Sequence, residues 1–162
     1  MTGDWRLIVG CDSAGLEYKE RIKADLLADP RVASVADLGV HAAAESKSYP
    51  IVGLAAGQQI AAAEADRAIL ICGTGIGMAI SANKVTGVRA TTAHDSLSVE
   101  RSVLSNNCQV LALGQRVIGI ELARRLVSEW LGYRFDLTSA SADKVAVITD
   151  YERGGDQAAQ PH

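Results

Sequence analysis

The stretch Ala68-Ile69-Leu70-Ile71-Cys72-Gly73-Thr74-Gly75-Ile76-Gly77-Met78, continuing through Ala79 to Lys84, decides how the rest of the chain is read. Four apolar residues bounded by a polar turn fit a strand buried on both faces, and three alternating glycines then let the chain turn tightly into a helix. Such a turn gathers unpaired backbone N–H groups at the positive end of a helix dipole, where an anion or a developing oxyanion is favoured. Cys72 is the one reactive side chain there, and thiols beside helix N-termini ionise more readily than free ones. Read chemically, the stretch is a proton-abstracting base beside an oxyanion site. Read structurally, it is a glycine turn after a buried strand, with an inert small cysteine. It is not a nucleotide motif: Gly73-x-Gly75-x-Gly77 lacks the third-glycine spacing of the dinucleotide fingerprint, and no Lys-Ser/Thr ending of a P-loop follows.

Upstream, Arg6-Leu7-Ile8-Val9-Gly10-Cys11 reads as a first buried strand, and Asp12-Ser13-Ala14-Gly15 as the turn that caps the next helix. That helix shows an apolar face at Leu16, Ile22, Leu26 and Leu27 and closes before Pro30. Val32 to Leu38 is a weaker second strand. A polar loop from His41 to Tyr49 leads to Pro50, at the start of an alanine-rich helix expected to run from Ile51 to Ala65. Downstream of the glycine turn, Gly87 ends a short helix and Val88 to Thr92 gives a fourth strand. His94-Asp95-Ser96 opens a further helix, which Asn106-Asn107 breaks, and Gln109 to Leu113 is the fifth strand. Ile118, Leu122, Leu126 and Trp130 then recur at helical spacing with Gly132 beyond them, and a polar linker from Arg134 leads to a last helix around Val145 and Ile148.

Five short apolar strands alternating with helices predict an α/β fold: a single-domain, doubly wound, Rossmann-like parallel sheet of five strands, with helices on both faces and a C-terminal helix. Sheets of this kind bind ligands beyond the carboxyl ends of their strands. Here those ends carry Cys11-Asp12-Ser13, Cys72-Gly73-Thr74, His94-Asp95 and Gly114-Gln115-Arg116, so polar groups distant in sequence are expected to converge on one crevice.

Composition narrows the function. At 162 residues, 48% hydrophobic and 22% charged, the chain is long enough to bury a full α/β core, and its net charge of −3 argues against nucleic acid or an anionic membrane as partner. Cys11, Cys72 and Cys108 lie in or beside apolar runs without metal-ligand spacing, as expected for reduced thiols in a cytoplasmic protein. The N-terminus shows no basic flank or cleavage-type segment, and no run approaches 18 apolar residues. Residues 1–152 are expected to form the domain and 153–162 a disordered tail.

Six ordered segments resemble the type B ribose-5-phosphate isomerases and their galactose-6-phosphate isomerase relatives: Gly10 to Gly15, Cys72 to Gly77 with Ser81-Ala82-Asn83-Lys84, Gly87 to Ala90, Ser105-Asn106-Asn107, Gly114 to Gly119, and Trp130-Leu131-Gly132. The resemblance spans roughly residues 6 to 150. It implies interconversion of aldose and ketose phosphates through an enediolate, without metal or cofactor, in a homodimer or a tetramer whose active sites are shared between subunits. Cys72, with Met78 after the loop, matches the branch that uses cysteine as the base; Gly73, Gly75 and Gly77 would offer N–H groups to the enediolate oxygen, with Thr74 assisting. By the same resemblance Asp12 and Ser13 lie near the substrate hydroxyls and Asn106 at the reacting end of the sugar. Arg116 and Lys144 fall at the family's phosphate-binding positions; Arg134 is offered for an arginine replaced here by Ala140, and His94 as an extra substrate contact. Structural readings stand beside these: a helix cap for Asp12, a helix stop for Asn106, solvated charge for Arg134 and Lys144, and a loop residue without a role for His94.

Two departures carry information. Pentose-phosphate members have histidine where this chain has Ser13, and a ring-opening histidine where it has Ser105. Serine cannot act as a general acid or base near neutral pH, so a substrate that must be opened from a ring is disfavoured. Erythrose 4-phosphate has its O4 esterified and forms no furanose, which makes D-erythrulose 4-phosphate and D-erythrose 4-phosphate the expected substrate pair. Ribose 5-phosphate isomerisation, a non-catalytic sugar-phosphate-binding subunit, a nucleotide site and a Cys72–His94 hydrolase are the alternatives.

Overall fold

The computed structural model describes residues 4–154. Five strands, β1 (Trp5–Cys11), β2 (Val32–Asp37), β3 (Arg67–Cys72), β4 (Ala90–Thr92) and β5 (Val110–Gly114), pair in parallel in the order β2-β1-β3-β5-β4. The helices between and after them are α1 (Leu16–Ala28), α2 (Tyr49–Ala61), α3 (Ile76–Ala82), α4 (Ser96–Leu104), α5 (Ile120–Gly132) and α6 (Ala140–Glu152).

Side chains alternate along a strand, so each buried strand feeds two cores. Leu7, Val9, Ile69, Ile71, Leu111 and Leu113 face α1, α4 and α5, where Ile22, Val103, Leu126 and Trp130 complete one cluster. Ile8, Leu70, Cys72, Val110 and Ala112 face α2 and α3. This second core is made of small residues because the helices nearly touch. A Cβ on Gly53 would stand 2.7 Å from Ser81 Cβ, and one on Gly57 2.8 Å from Val85 Cγ2.

The chain leaves β1 for β2 at one edge, then returns past β1 to place β3 on its other side. That reversal opens a crevice between the carboxyl ends of β1 and β3. Lysine in the core shapes its border. Lys19 is completely buried, and its ammonium donates to Asp37 Oδ2 and Val40 O, both at 2.8 Å, tying α1 to the loop after β2. Burial works against both charges. Hydrogen bonds outweigh it, those to Asp37 and Glu20 raising the Lys19 pKa and those from Lys19, Lys23 and the Gly39 N–H lowering that of Asp37.

Several local expectations shift. α2 ends at Ala61 rather than Ala65, because Ala63 takes a left-handed φ of 56° and turns the chain back toward β3. Leu27 is 65% exposed, and α5 buries Ala123, Leu126, Val127, Trp130 and Leu131, leaving Leu122 outside. α3 ends at Ala82, five residues before Gly87. β4 lies outside β5, an exchange of order with no local signature. Of the expected tail, Arg153 and Gly154 close α6 and the remainder lies outside the described residues.

Candidate active site

Cys72 ends β3 in register with Gly114 of β5, and Ile71 is in register with Cys11 of β1, so three turns emerge side by side at the switch point. The Gln115 N–H donates to Cys72 O (2.9 Å) and the Arg116 N–H to Gly73 O (3.0 Å), fastening the turn after β5 onto the glycine turn. Together with the start of α2 they enclose a cleft of about 530 Å3, lined by Asp12, Tyr49, Cys72, Thr74, Gly77 and Arg116 among others. Cys72, Thr74, Asp12, Arg116, Gly73 and Gly77 therefore do come together.

The glycine turn works through its backbone. Gly75 has a φ of 82° and backs onto the main chain of Ala112 and Leu113, where a Cβ would come within about 3.1 Å, so strain and space both require glycine. In this conformation the Gly75 N–H donates to Cys72 Sγ at 3.0 Å. The same bond means that Gly75 serves the thiol rather than an incoming oxygen. The first bond of α3 runs from the Ala79 N–H to Gly75 O, which leaves the N–H groups of Gly77 and Met78 without a backbone acceptor. The Ile76 N–H makes a long 3.4 Å bond to Thr74 Oγ1.

Around this centre, Asp12 Oδ1 accepts the Ala14 N–H (2.9 Å), a turn that fixes the carboxylate without capping α1, whose N-cap is Gly15. Arg116 lies over Gly73, its Nη1 3.5 Å from where a Cβ would stand, and it has no ion-pair partner among the described residues. Ser13 turns elsewhere: its hydroxyl donates to Glu45 O (3.2 Å) and tethers the loop before α2. His94 is also spent, for its Nε2 accepts the Gly114 N–H at 2.9 Å. Burial depresses its pKa, so the imidazole is neutral with its proton on Nδ1. It is not paired with Cys72, which removes the geometry of a cysteine hydrolase.

Asn106, Arg134 and Lys144 are not in this cleft. Asn106 precedes β5 and lines a separate pocket with Arg89, Ser98 and Arg101. The Arg134 guanidinium stacks 3.5 Å above the Trp5 ring, at the amino end of β1, and pairs with Asp4. Six residue steps along β1 separate Trp5 from Cys11, roughly 20 Å at the usual rise. Lys144 is exposed on α6. Tyr49, Ile76 and Ile80 line the cleft but carried no signal in the sequence; the clue available was that α2 begins where β2 leaves the sheet, on the same rim as the glycine turn.

Among the described residues, one cluster with metal-ligand chemistry occurs, Glu20, Asp37 and His41, with ligand atoms within 4.8 Å of one another. Lys19 and Lys23 already place two ammonium groups on Asp37 Oδ2, so the positive charge a cation would bring is supplied. No helix among the described residues is long and apolar enough to cross a membrane.

The chain resembles known proteins over most of its length. Residues 7–148 match the family model described as Ribose/Galactose Isomerase. The chain is 60% identical over 147 residues to D-erythrulose-4-phosphate isomerase 2 of Mycolicibacterium smegmatis, covering 91% of this chain and 97% of that protein. It is 42% identical to D-erythrulose-4-phosphate isomerase of Pectobacterium atrosepticum, covering 90% and 94%. Among solved structures, ribose-5-phosphate isomerase B of Clostridium thermocellum superposes with a TM-score of 0.83 at 38% identity, over 91% of this chain and 97% of that one. The chain belongs to the ribose/galactose isomerase family and is an aldose–ketose isomerase of sugar phosphates.

Proposed function

We propose that this enzyme interconverts D-erythrulose 4-phosphate and D-erythrose 4-phosphate with Cys72 as the base. The observation that carries the reading is the position of Cys72 on the wall of the cleft, its sulfur held by the Gly75 N–H, with Asp12, Thr74 and Arg116 beside it on the same wall and each keeping polar capacity that local bonds do not use. The thiolate removes a proton from C1 of the ketose and returns it to C2, while the hydroxyl proton passes from O1 to O2, so no atom is gained or lost. The enediolate oxygen is received by the free N–H groups at the start of α3 and by the Thr74 hydroxyl. Asp12 orients the substrate hydroxyls, and Arg116 receives the phosphate.

Substrate choice is supported by Ser105 and by the names of the two relatives cited above. A histidine at this position would act on a cyclic sugar; a serine leaves the open-chain tetrose as the substrate that needs no such help. Ser105→His is expected to raise turnover of ribose 5-phosphate at least tenfold, by order of magnitude, with the tetrose little changed. No gain in a folded variant would count against the ring-opening argument.

The working unit in this reading is a homodimer with shared sites. Ser105, Asn106, Arg134 and Lys144 lie away from the chain's own cleft, so they contribute by entering the cleft of a second copy. Exposed apolar residues at the cleft rim, Tyr49, Ile76 and Ile80, and on α6, Val147, Ile148 and Tyr151, support such a contact.

A further inference from the structure

Tyr49 begins α2 on the rim of the cleft and is 44% exposed. Its ring packs on Gly77 so closely that a Cβ there would stand 2.5 Å from both Cδ2 and Cε2. At the other end of the same turn, Arg116 stands in the corresponding relation to Gly73. Two long side chains thus bracket the five-residue turn Gly73 to Gly77, with Thr74 and the sulfur-bound N–H of Gly75 between them.

We infer that Tyr49 is a specificity-determining residue, the wall opposite Arg116, whose hydroxyl hydrogen-bonds the terminal oxygen of the substrate so that the Arg116–Tyr49 span selects the length of the sugar phosphate. This rests on the isomerase reading above. The segment that delivers Tyr49 is tied down at three points: Lys19 Nζ donates to Val40 O, Lys47 Nζ to Leu38 O (3.0 Å) and the Ser13 hydroxyl to Glu45 O. A fixed wall discriminates better than a mobile one, because the wrong ligand cannot push it aside without cost. Gly77 keeps the ring from being displaced by a side chain of its own. The Tyr18 hydroxyl is committed to Ile118 O at 2.9 Å, whereas the Tyr49 hydroxyl has no protein partner among the described residues and is available to a ligand. A site built to hydrogen-bond a substrate oxygen rejects molecules that cannot place one there.

The test compares the wild-type full chain with Tyr49→Phe and Tyr49→Ala, measuring kcat and KM for erythrulose 4-phosphate and ribulose 5-phosphate, with thermal melts as a fold control. Tyr49→Phe keeps the ring on Gly77 and is expected to lower kcat/KM for the tetrose about tenfold. Tyr49→Ala opens the wall and is expected to shrink the tetrose-to-pentose preference by about tenfold or more. Should the alanine variant not fold, the phenylalanine variant still decides. An active wild type whose two variants stay within about twofold of it on both substrates would overturn the inference alone. A wild type inactive on both sugars would overturn the isomerase reading, and this inference with it.

Discussion

The two ends of the sheet are built from similar residues and used in opposite ways. At the amino ends the polar groups are consumed by the fold. Arg67 is 5% exposed, sandwiched between Trp5 and Trp130 at 4.2 and 4.7 Å, and donates to Trp130 O and Tyr133 O at the end of α5. Trp5 Nε1 donates to Leu131 O, Arg6 is paired with Asp66, and Arg89 Nε donates to Asn106 O and Asn107 O. At the carboxyl ends, Asp12, Thr74, Arg116 and the first N–H groups of α3 retain free capacity, and the glycines that surround them keep the backbone open. Arg67, beside aromatic rings and carbonyls, closes the end of α5, whereas Arg116, over the glycine turn, keeps its donors open to the cleft. What separates them is whether the donors are already spent.

The contrast can be broken most severely by mixing subunits. If the amino-end residues act only in a partner's cleft, Cys72→Ala and Asn106→Ala chains should each be nearly inactive. Refolded together they should recover about a quarter of wild-type activity, since half the dimers would be mixed and each of these has one intact site. Absence of recovery would mean that Asn106 does not complete the site of a second copy. Next in size, Arg67→Met should cost about 3 kcal/mol of stability, because two charge-assisted bonds and two stacking contacts go, with kcat of the folded enzyme unchanged. Denaturant midpoints and initial rates measured on one preparation separate the two. Burial already depresses the Arg67 pKa to about 10, a sign that Trp faces and carbonyls hold the charge without a carboxylate.

The smallest effect concerns pH. His94 is depressed by burial and accepts the Gly114 N–H, so the fold favours its neutral form. The unfolded chain then binds the extra proton, and stability from this group is present above the ordinary imidazole value near 6.5 and lost as pH falls through the lower folded value. Melting temperature should drop across that window in wild type and drop less in His94→Ala. Asp37 acts in a separate window, below the ordinary carboxylate range, because its folded pKa is also lowered.

Much of this was legible from residues alone where short-range chemistry decides. β3, the glycine turn, the Asp95 cap on α4 and the stop at Asn107, with its φ of 49°, follow from local preferences. Buried lysine and arginine were not legible, because Lys19 and Arg67 look like surface charges until distant carboxylates and carbonyls arrive around them. The α5 face was misread by one position because a spacing of four drifts around a helix of 3.6 residues per turn, which exposes Leu122 while burying Ala123 and Val127. Among site residues, Ser13 and His94 stand at the expected strand ends, yet their polar atoms bind the protein itself. Nothing in the sequence says which way a side chain turns at a shared rim.

The proposed mechanism turns on Cys72 as the group that moves the proton. NMR of erythrulose 4-phosphate in deuterated buffer, with wild type and Cys72→Ala side by side, tests it most directly. Conversion to the aldose with deuterium entering from solvent is expected in the wild type, with both conversion and exchange falling about a thousandfold in the variant while its melting curve is retained. Exchange and conversion persisting at wild-type rates in Cys72→Ala would contradict it.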